Sequence, residues 1–413
     1  MRKNLLFLII PMLVIAWSCK KKSESPANKP LLMTVNVTGR YFNPLFGGVI
    51  FISDMQGKVL ADTFCLADGV YHFYGQSGAS VPSFLEVSTV RSEPAWHSFN
   101  ISIETYNYIS PSEWTLLGSR ADTVGNINPV FKNIPAHNDA FLVSSSGYSN
   151  LTSILGNIPI QLYKSPDDIY IGIPTSAGLR YKWFYNAVSN AKDTFDLSNS
   201  LFAEKKTIAF PSLIQYYECR LQGFTDGNFN SPIPCMVDEI LGNGIAVNSF
   251  DAYYPPSRFQ GFHTDIMALE DYSSNKSWFY HVDGPIPTAF RKIAASLVSY
   301  SATNTGMQLL ASGDMDAVSG TWQFSSTYKG HIEWTVFGPD TTTTMRLPQI
   351  PPSLSNMFPW ISRDSLRFMN AGLIDLAECQ GYSQMISRLY GPANPSSFIR
   401  QETSILKVSA SGK

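Results

Sequence analysis

Short segments in which apolar and polar residues alternate constrain the fold of this chain more than any other feature of its sequence. Residues 98–103 read Ser-Phe-Asn-Ile-Ser-Ile, and residues 331–336 read His-Ile-Glu-Trp-Thr-Val. A period of two places every second side chain on the same face of a β-strand, so both segments predict strands with one buried face. Turn sequences, such as those at 68–69 and 226–227, separate many short apolar segments, and this rhythm is typical of sandwich-like sheets.

The whole chain therefore predicts an all-β fold with two β-sandwich-like domains and few short helices. No window carries the long apolar stripe at a 3.6-residue period that a long helix needs. Residues 353–357 and 382–389 are typical of short helices, and a proline or Gly-Pro follows each. A polar stretch over residues 189–206 indicates a boundary between N-terminal β domains at 31–200 and a C-terminal β domain at 201–413.

The N-terminus combines a positively charged start, a short apolar run over residues 5–17 and a cysteine, Cys19. As a helix the run would reach roughly 20 Å, which is less than the ~30 Å hydrocarbon core of a bilayer. A run of that length favours a cleaved export signal over a permanent membrane span. With Ala16 and Ser18 ahead of the cysteine, the segment resembles the signal of a bacterial outer-membrane lipoprotein of the Bacteroidota type.

The lipoprotein resemblance implies that residues 1–18 are removed and that Cys19 becomes an acylated N-terminus. Because two or more acyl chains anchor a protein stably, the mature chain would be held in the outer membrane, facing the periplasm or the cell surface. Residues 19–30 are rich in Lys, Ser and Pro and predict a flexible tether. An ordinary export signal cleaved after Ser18, followed by simple secretion, is the alternative for the same residues.

Residues 48–75 carry a strand–turn–strand rhythm with turns at 54–57 and 68–69. The segment is similar to part of a carboxypeptidase-regulatory-like or prealbumin-like β domain. This likeness covers fewer than thirty residues and implies a β-sandwich fold for the N-terminal region.

The charge of the chain argues against nucleic-acid partners. The sequence has 30 Lys and Arg against 32 Asp and Glu, and removal of residues 1–18 takes away Arg2 and Lys3, which leaves 28 against 32. Nucleic-acid binders carry a basic patch or stripe, and none is present. The predicted partners are the membrane, through the lipid anchor, and a glycan or another envelope protein.

Four cysteines remain besides Cys19: Cys65, Cys219, Cys235 and Cys379. An exported chain can form disulfides, and the turn residues between Cys219 and Cys235 make that pair the most local candidate. Buried thiols are the equally weighted alternative. No Cys/His spacing is typical of zinc, so the sequence predicts no metal site and no cofactor.

The sequence contains no recognised catalytic motif, and we predict no catalytic residues. His263-Thr264-Asp265 places a histidine and an acid on one face of a strand, whereas His281-Val282-Asp283 precedes a turn, where Asp is ordinary turn chemistry. A Ser-His-Asp site is recognised by geometry and not by such proximity, so hydrogen-bonded histidines and turn acids are the favoured interpretation.

The best candidates for paired-carboxylate chemistry are two acidic pairs, Asp167 with Asp168 and Asp314 with Asp316, and Asp238 with Glu239 is another such pair. Two close carboxylates suit a Ca²⁺ ion or a glycosidase, whereas turns and solvated strand edges are the simpler explanation. Sequence alone does not give the distance between the carboxylates.

Aromatic residues are the compositional excess of this chain, with 26 Phe, 20 Tyr and 8 Trp. Exposed Tyr and Trp rings can stack on ligands while their polar tips form hydrogen bonds. The densest clusters give five candidate ligand-binding residues: Tyr253, Tyr254, Trp278, Tyr280 and Trp360. We therefore predict a cell-envelope lipoprotein that acts as a binding or structural module, and the alternative is a surface polysaccharide hydrolase that uses paired carboxylates.

Overall fold

The computed structural model describes residues 28–410 apart from several short gaps. The gaps are residues 96–97, 119–122, 139, 154–158, 191–192, 226–231, 241–245, 257, 272, 274 and 392–401. The predicted signal at 1–18, Cys19 and most of the tether at 19–30 lie outside the described residues.

The described residues are almost entirely β-structure, which confirms the predicted all-β, sandwich-like class. In chain order the strands are β1 (Leu31–Thr38), β2 (Gly48–Ser53), β3 (Val59–Cys65), β4 (Gly69–Tyr74), β5 (Leu85–Ala95), β6 (Ser98–Ile109), β7 (Glu113–Leu117), β8 (Gly125–Ile127), β9 (Val130–Lys132), β10 (Phe141–Ser145), β11 (Tyr148–Thr152), β12 (Ile160–Leu162), β13 (Asp167–Thr175), β14 (Gly178–Ala187), β15 (Thr194–Asp196), β16 (Leu201–Phe202), β17 (Glu204–Ile214), β18 (Tyr216–Phe224), β19 (Ile233–Ile240), β20 (Val247–Tyr254), β21 (Gly261–Leu269), β22 (Lys276–Gly284), β23 (Ala295–Ala302), β24 (Gly306–Gly313), β25 (Ala317–Ser326), β26 (Gly330–Pro339), β27 (Thr344–Arg346), β28 (Arg367–Leu376) and β29 (Glu402–Ser409).

Two short α-helices occur in the described part, α1 (Pro352–Met357) and α2 (Tyr382–Tyr390), with a 3₁₀ turn at Arg363–Ser365. Both coincide with the helices predicted at 353–357 and 382–389. Pro359 follows α1, and Gly391 caps α2 by donating its backbone N–H to the carbonyl of Ser387. None of the described helices is long and apolar enough to span a bilayer.

A twelve-stranded sheet forms the centre of the molecule, in the order β19-β18-β21-β22-β29-β28-β25-β26-β6-β5-β2-β3. All neighbouring pairs are antiparallel except β26 and β6, which run parallel and join the two parts of the sheet. Four of its strands come from 31–200 and eight from 201–413. The predicted division into two domains at residue 200 remains a prediction.

One face of this sheet buries the largest apolar side chains. Trp322 on β25 and Trp334 on β26 are fully buried there, because the alternation seen in the sequence points them to the same side. The three-stranded sheet β23-β24-β27 covers them with Met307 and Met345, and Leu354 of α1 closes the layer. A second sheet packed on the first gives the sandwich-like arrangement.

The opposite face carries a second core. Ile52 on β2 packs there with Val35 on β1 and Trp114 on β7, which belong to the three-stranded sheet β4-β1-β7. Met385 of α2 also contributes. The segment 48–75 is therefore split: β2 and β3 pair as a hairpin in the large sheet, whereas β4 pairs with β1. Its likeness to a carboxypeptidase-regulatory-like domain remains a prediction.

Two further cores complete the described fold. The pair β17–β20 packs Ile208 and Phe250 against Ile266 and Tyr280 of β21 and β22. The five-stranded sheet β11-β10-β13-β14-β16 forms the fourth core, in which Val143 and the small pair β8–β12 take part. One face of β21 and β22 is thus used for packing, which leaves their other face for polar side chains.

Candidate functional site

Four of the five predicted ligand-binding aromatics pack around one hydrophobic core. Tyr280 is buried and donates its hydroxyl to Glu402, and Tyr254 donates its hydroxyl to Glu204. Trp278 and Tyr253 are partly buried against the same core. These four side chains are used in packing, and they do not form a row of exposed rings.

Trp360, the fifth candidate, lies elsewhere and lines a surface cavity of about 430 Å³. We name this cavity the aromatic cleft; its lining residues are Pro94, Ala95, Ser98, Phe99, Tyr328, Lys329 and Trp360. A cavity of this size is within the range of small-ligand sites. Its mixture of apolar rings and one ammonium group suits a ligand with both apolar and polar edges.

Aromatic contacts hold the walls of the cleft in place. Trp360 lies 6.0 Å from Phe358 and 5.8 Å from Phe324, measured between ring centroids. Phe99 lies 5.5 Å from Phe358 in an edge-to-face arrangement. Such pairs are favourable beyond their buried area, so they help to fix the positions of Trp360 and Phe99.

The turn between β25 and β26 forms the outer rim of the aromatic cleft. Tyr328, in this turn, is 89% exposed, the highest value among the exposed large hydrophobic residues of the described chain. Gly330 follows with a φ of +112°, and a Cβ at this position would come within 2.1 Å of the carbonyl oxygen of Phe99. Glycine therefore lets the turn lie directly against β6. Sequence reasoning missed Tyr328, although its place in a short polar turn is a signal of exposure.

A second polar feature lies on the face of β21 and β22 that points away from their core. Cross-strand pairing places His263 opposite Asp283 and Asp265 opposite His281. All four side chains therefore fall on one face of the hairpin, and we name them the His–Asp cluster. The sequence motifs 263–265 and 281–283 therefore form a single structural unit.

Each carboxylate of the His–Asp cluster faces both imidazole rings. Asp283 lies 2.7 Å from Nδ1 of His263 and 3.6 Å from Nε2 of His281. Asp265 lies 3.1 Å from Nε2 of His263 and 2.7 Å from Nδ1 of His281. The ring centroids of the two histidines are 4.2 Å apart. The cluster is therefore closed, with every carboxylate oxygen directed at a different ring nitrogen.

Electrostatics in the cluster favour the charged form of every member. Burial alone would lower the pKa of His263, but its hydrogen bonds to Asp265 and Asp283 outweigh that effect and raise the pKa to about 9. The pKa of His281 is raised by the same balance. Burial would raise the pKa of both aspartates, yet their hydrogen bonds to the imidazoles hold it below the ordinary value. Two imidazolium ions and two carboxylates thus neutralise each other.

Three of the four described side chains of the predicted acidic pairs have structural partners. Asp167 is buried and accepts hydrogen bonds from the backbone and hydroxyl of Ser146. Asp168 pairs with Arg258. Asp316 accepts the backbone N–H groups of Leu376 and Gly381, whereas Asp314 is exposed. The side chains of Asp238 and Glu239 lie outside the described set, and paired-carboxylate chemistry remains a prediction.

Cys219 and Cys235 are both buried on adjacent strands, β18 and β19, and a disulfide between them remains a prediction. On the β18–β19 pair, Cys219 lies opposite Asp238, and the register shifts beside Leu221. Cys235 is buried at this irregularity and donates its S–H to the carbonyl of Leu221, at 3.4 Å. The two sulfurs therefore occupy different places along the β18–β19 pair.

Comparison of the sequence with protein-family models and with curated proteins gives no match. The aromatic cleft and the His–Asp cluster are accordingly interpreted from their own geometry and chemistry.

Proposed function

We propose that the chain is a binding protein of the cell envelope, anchored through a lipid on Cys19, and that its aromatic cleft holds a sugar unit of a glycan. The observation that carries this proposal is the exposed ring of Tyr328 beside the half-buried ring of Trp360 in one cavity. Apolar C–H faces of a sugar can pack on such rings while its hydroxyls bond to polar groups.

The polar groups of the cleft support a hydroxylated or acidic ligand. Lys329 supplies an ammonium group with three donors, and Ser98 supplies a hydroxyl that can donate or accept. A purely apolar ligand would leave the ammonium group of Lys329 without a matching partner on the ligand. A glycan that carries hydroxyl or carboxylate groups uses the rings and the polar groups together.

Replacing Trp360 by alanine should weaken glycan binding by about tenfold or more, which corresponds to ~1.4 kcal/mol or more. The purified chain is first screened on a glycan array, and the affinity for the best ligand is then measured by calorimetry for wild type and for Trp360→Ala. Tyr328→Ala should have a comparable effect, since both rings contact the ligand.

Phe202→Ala is the matched control for the cleft variants, because Phe202 is an exposed aromatic on β16, outside the cleft lining. It should bind the glycan like wild type. An array without signal, or affinities that Trp360→Ala and Tyr328→Ala leave unchanged, would refute sugar binding in the cleft. Hydrolysis of an arrayed glycan would instead support the hydrolase alternative.

The anchoring part of the proposal has its own test. Cys19→Ser should move the protein from the membrane fraction of the producing bacterium to the soluble fraction, because no acyl chain can then be attached. Cys379→Ser should remain in the membrane fraction like wild type. Mass spectrometry of wild type that finds an unmodified N-terminus on soluble protein would contradict lipidation.

A further inference from the structure

We propose that His263, His281 and Asp283 form a mononuclear site for a divalent transition-metal ion such as Zn²⁺, with Asp265 as the residue that positions both imidazoles. The three ligand atoms of this group lie within 4.8 Å of one another. Two imidazole nitrogens and one carboxylate are a common protein donor set for Zn²⁺ and related ions.

Asp283 is the buried carboxylate of the His–Asp cluster and belongs to the group of convergent donor atoms, so we assign it as the ligand and the more exposed Asp265 as the support. Asp265 accepts from Nε2 of His263 and from Nδ1 of His281. The other two ring nitrogens, Nδ1 of His263 and Nε2 of His281, face Asp283. Binding of Zn²⁺ at these two nitrogens replaces the proton on each, and both protons pass to solvent. Metal-binding histidines characteristically donate their other ring N–H to a carboxylate, which fixes the tautomer and the ring orientation.

The spacing of the donor atoms is close to what coordination requires. Donors about 2.0–2.1 Å from a tetrahedral metal ion are roughly 3.4 Å apart. The carboxylate of Asp283 is 2.7 Å from His263 and 3.6 Å from His281, which bracket this value. Two of the three donor separations thus lie near this value, and all three donor atoms lie within 4.8 Å of one another, so coordination requires side-chain rotation on the existing β21–β22 register.

Exposure and neighbouring charge also suit a metal site. The side chain of Asp283 is 7% exposed, whereas those of His263 and His281 are 27% and 26% exposed, so the ion has a buried anionic ligand and access from solvent. A fourth position on the solvent side is then available to water. Arg220, which lies across from Asp265 on β18, is bound to Glu218 instead.

The test uses the purified chain after treatment with a chelator, titrated with Zn²⁺ by calorimetry and with Co²⁺ by visible absorption. We expect one equivalent of either ion, a raised Tm with Zn²⁺, and the d–d absorption bands of a four-coordinate Co²⁺ site. His281→Ala and Asp283→Asn should each weaken binding at least 100-fold. Far-UV circular dichroism verifies that both variants fold, and two variants keep the test decisive if one does not.

Asp265→Asn separates positioning from coordination. It should retain one equivalent of Zn²⁺ but bind it about 10–100-fold more weakly, which is the usual cost of losing a carboxylate behind a histidine ligand. His72→Ala, which removes an exposed histidine on β4, should bind like wild type. Wild-type affinity in Asp265→Asn would overturn the positioning role.

The absence of Zn²⁺ binding in wild type, or binding that His281→Ala and Asp283→Asn leave unchanged, would overturn the site. The second result would identify an adventitious ion only. Trp360→Ala should leave the Zn²⁺ affinity unchanged, because the aromatic cleft and the His–Asp cluster share no residue. The test of the metal site is therefore independent of the test of glycan binding.

Discussion

Replacing Trp334 by alanine is expected to lower the free energy of unfolding by about 3–5 kcal/mol. Trp334 is 0% exposed in the core of the large sheet, where β26 meets β6. Its indole N–H donates to the hydroxyl of Thr105 at 3.0 Å, and its ring lies edge-to-face against Phe51. The substitution leaves a cavity and removes the donor at once. Guanidinium denaturation followed by far-UV circular dichroism measures the loss.

Two matched variants identify the cause of the loss at Trp334. Trp334→Phe keeps a ring beside Phe51 but removes the N–H that reaches Thr105, so it should be less destabilising than alanine. Tyr328→Ala removes an aromatic side chain that is 89% exposed and should change stability by less than about 0.5 kcal/mol. Equal denaturation midpoints for Trp334→Ala and Tyr328→Ala would contradict the proposed importance of this core.

Glu86→Gln should stabilise the chain at alkaline pH by an amount on the order of 4 kcal/mol. Glu86 is 1% exposed on β5, and its Oε2 has no hydrogen-bond partner among the residues that the structure describes. Burial raises its pKa to about 8; Arg346 lowers the value and Asp54 raises it, both to a smaller extent. A neutral amide of the same shape avoids burying the charge.

The sign of this pH dependence follows from proton binding. Between the unfolded pKa of about 4.5 and the folded pKa of about 8, the folded chain holds a proton on Glu86 that the unfolded chain has released. The contribution of Glu86 to stability is therefore present below pH 4.5 and declines as the pH rises towards 8. Glu86→Gln should lack this decline.

Denaturation at pH 5 and at pH 8.5 tests the role of Glu86 by comparing wild type with Glu86→Gln. Glu333→Gln is the control, since Glu333 is exposed on β26 and should follow wild type at both pH values. Parallel pH dependence in wild type and Glu86→Gln would show that the carboxyl group is not buried as described.

The strands were predictable from sequence because alternation reports local geometry. The segments 98–103 and 331–336 lie in β6 and β26, as their period of two indicates. Their parallel pairing was not predictable, because more than two hundred residues separate them and no local signal selects one distant edge over another. For the same reason the sequence predicted sandwich-like sheets without the order of the strands.

The His–Asp cluster was within reach of sequence reasoning. In an antiparallel hairpin, facing residues have a constant sum of residue numbers, and His263 with Asp283 has the same sum as Asp265 with His281. Two copies of His-x-Asp placed symmetrically about a turn therefore indicate four converging side chains. Interpreting each copy separately concealed the pattern.

The burial of the aromatic candidates could not be predicted from the alternation of apolar and polar residues. It predicts that Trp278 and Tyr280 point to opposite faces from their immediate neighbours, but not that β17 and β20 cover one of those faces. Whether other strands pack over a given face depends on tertiary structure, which the local pattern does not encode. Trp360 remained near the surface because it follows α1 outside any strand.

The interior position of β29 in the large sheet sets the order of events during biosynthesis. Residues 402–409 hydrogen-bond to β22 on one side and to β28 on the other. The ribosome must therefore release about four hundred residues before β29 can pair with β22 and β28. Contacts between such remote parts of a chain form slowly. Until then β22 and β28 expose unpaired backbone, so the growing chain is most open to edge-to-edge association late in synthesis.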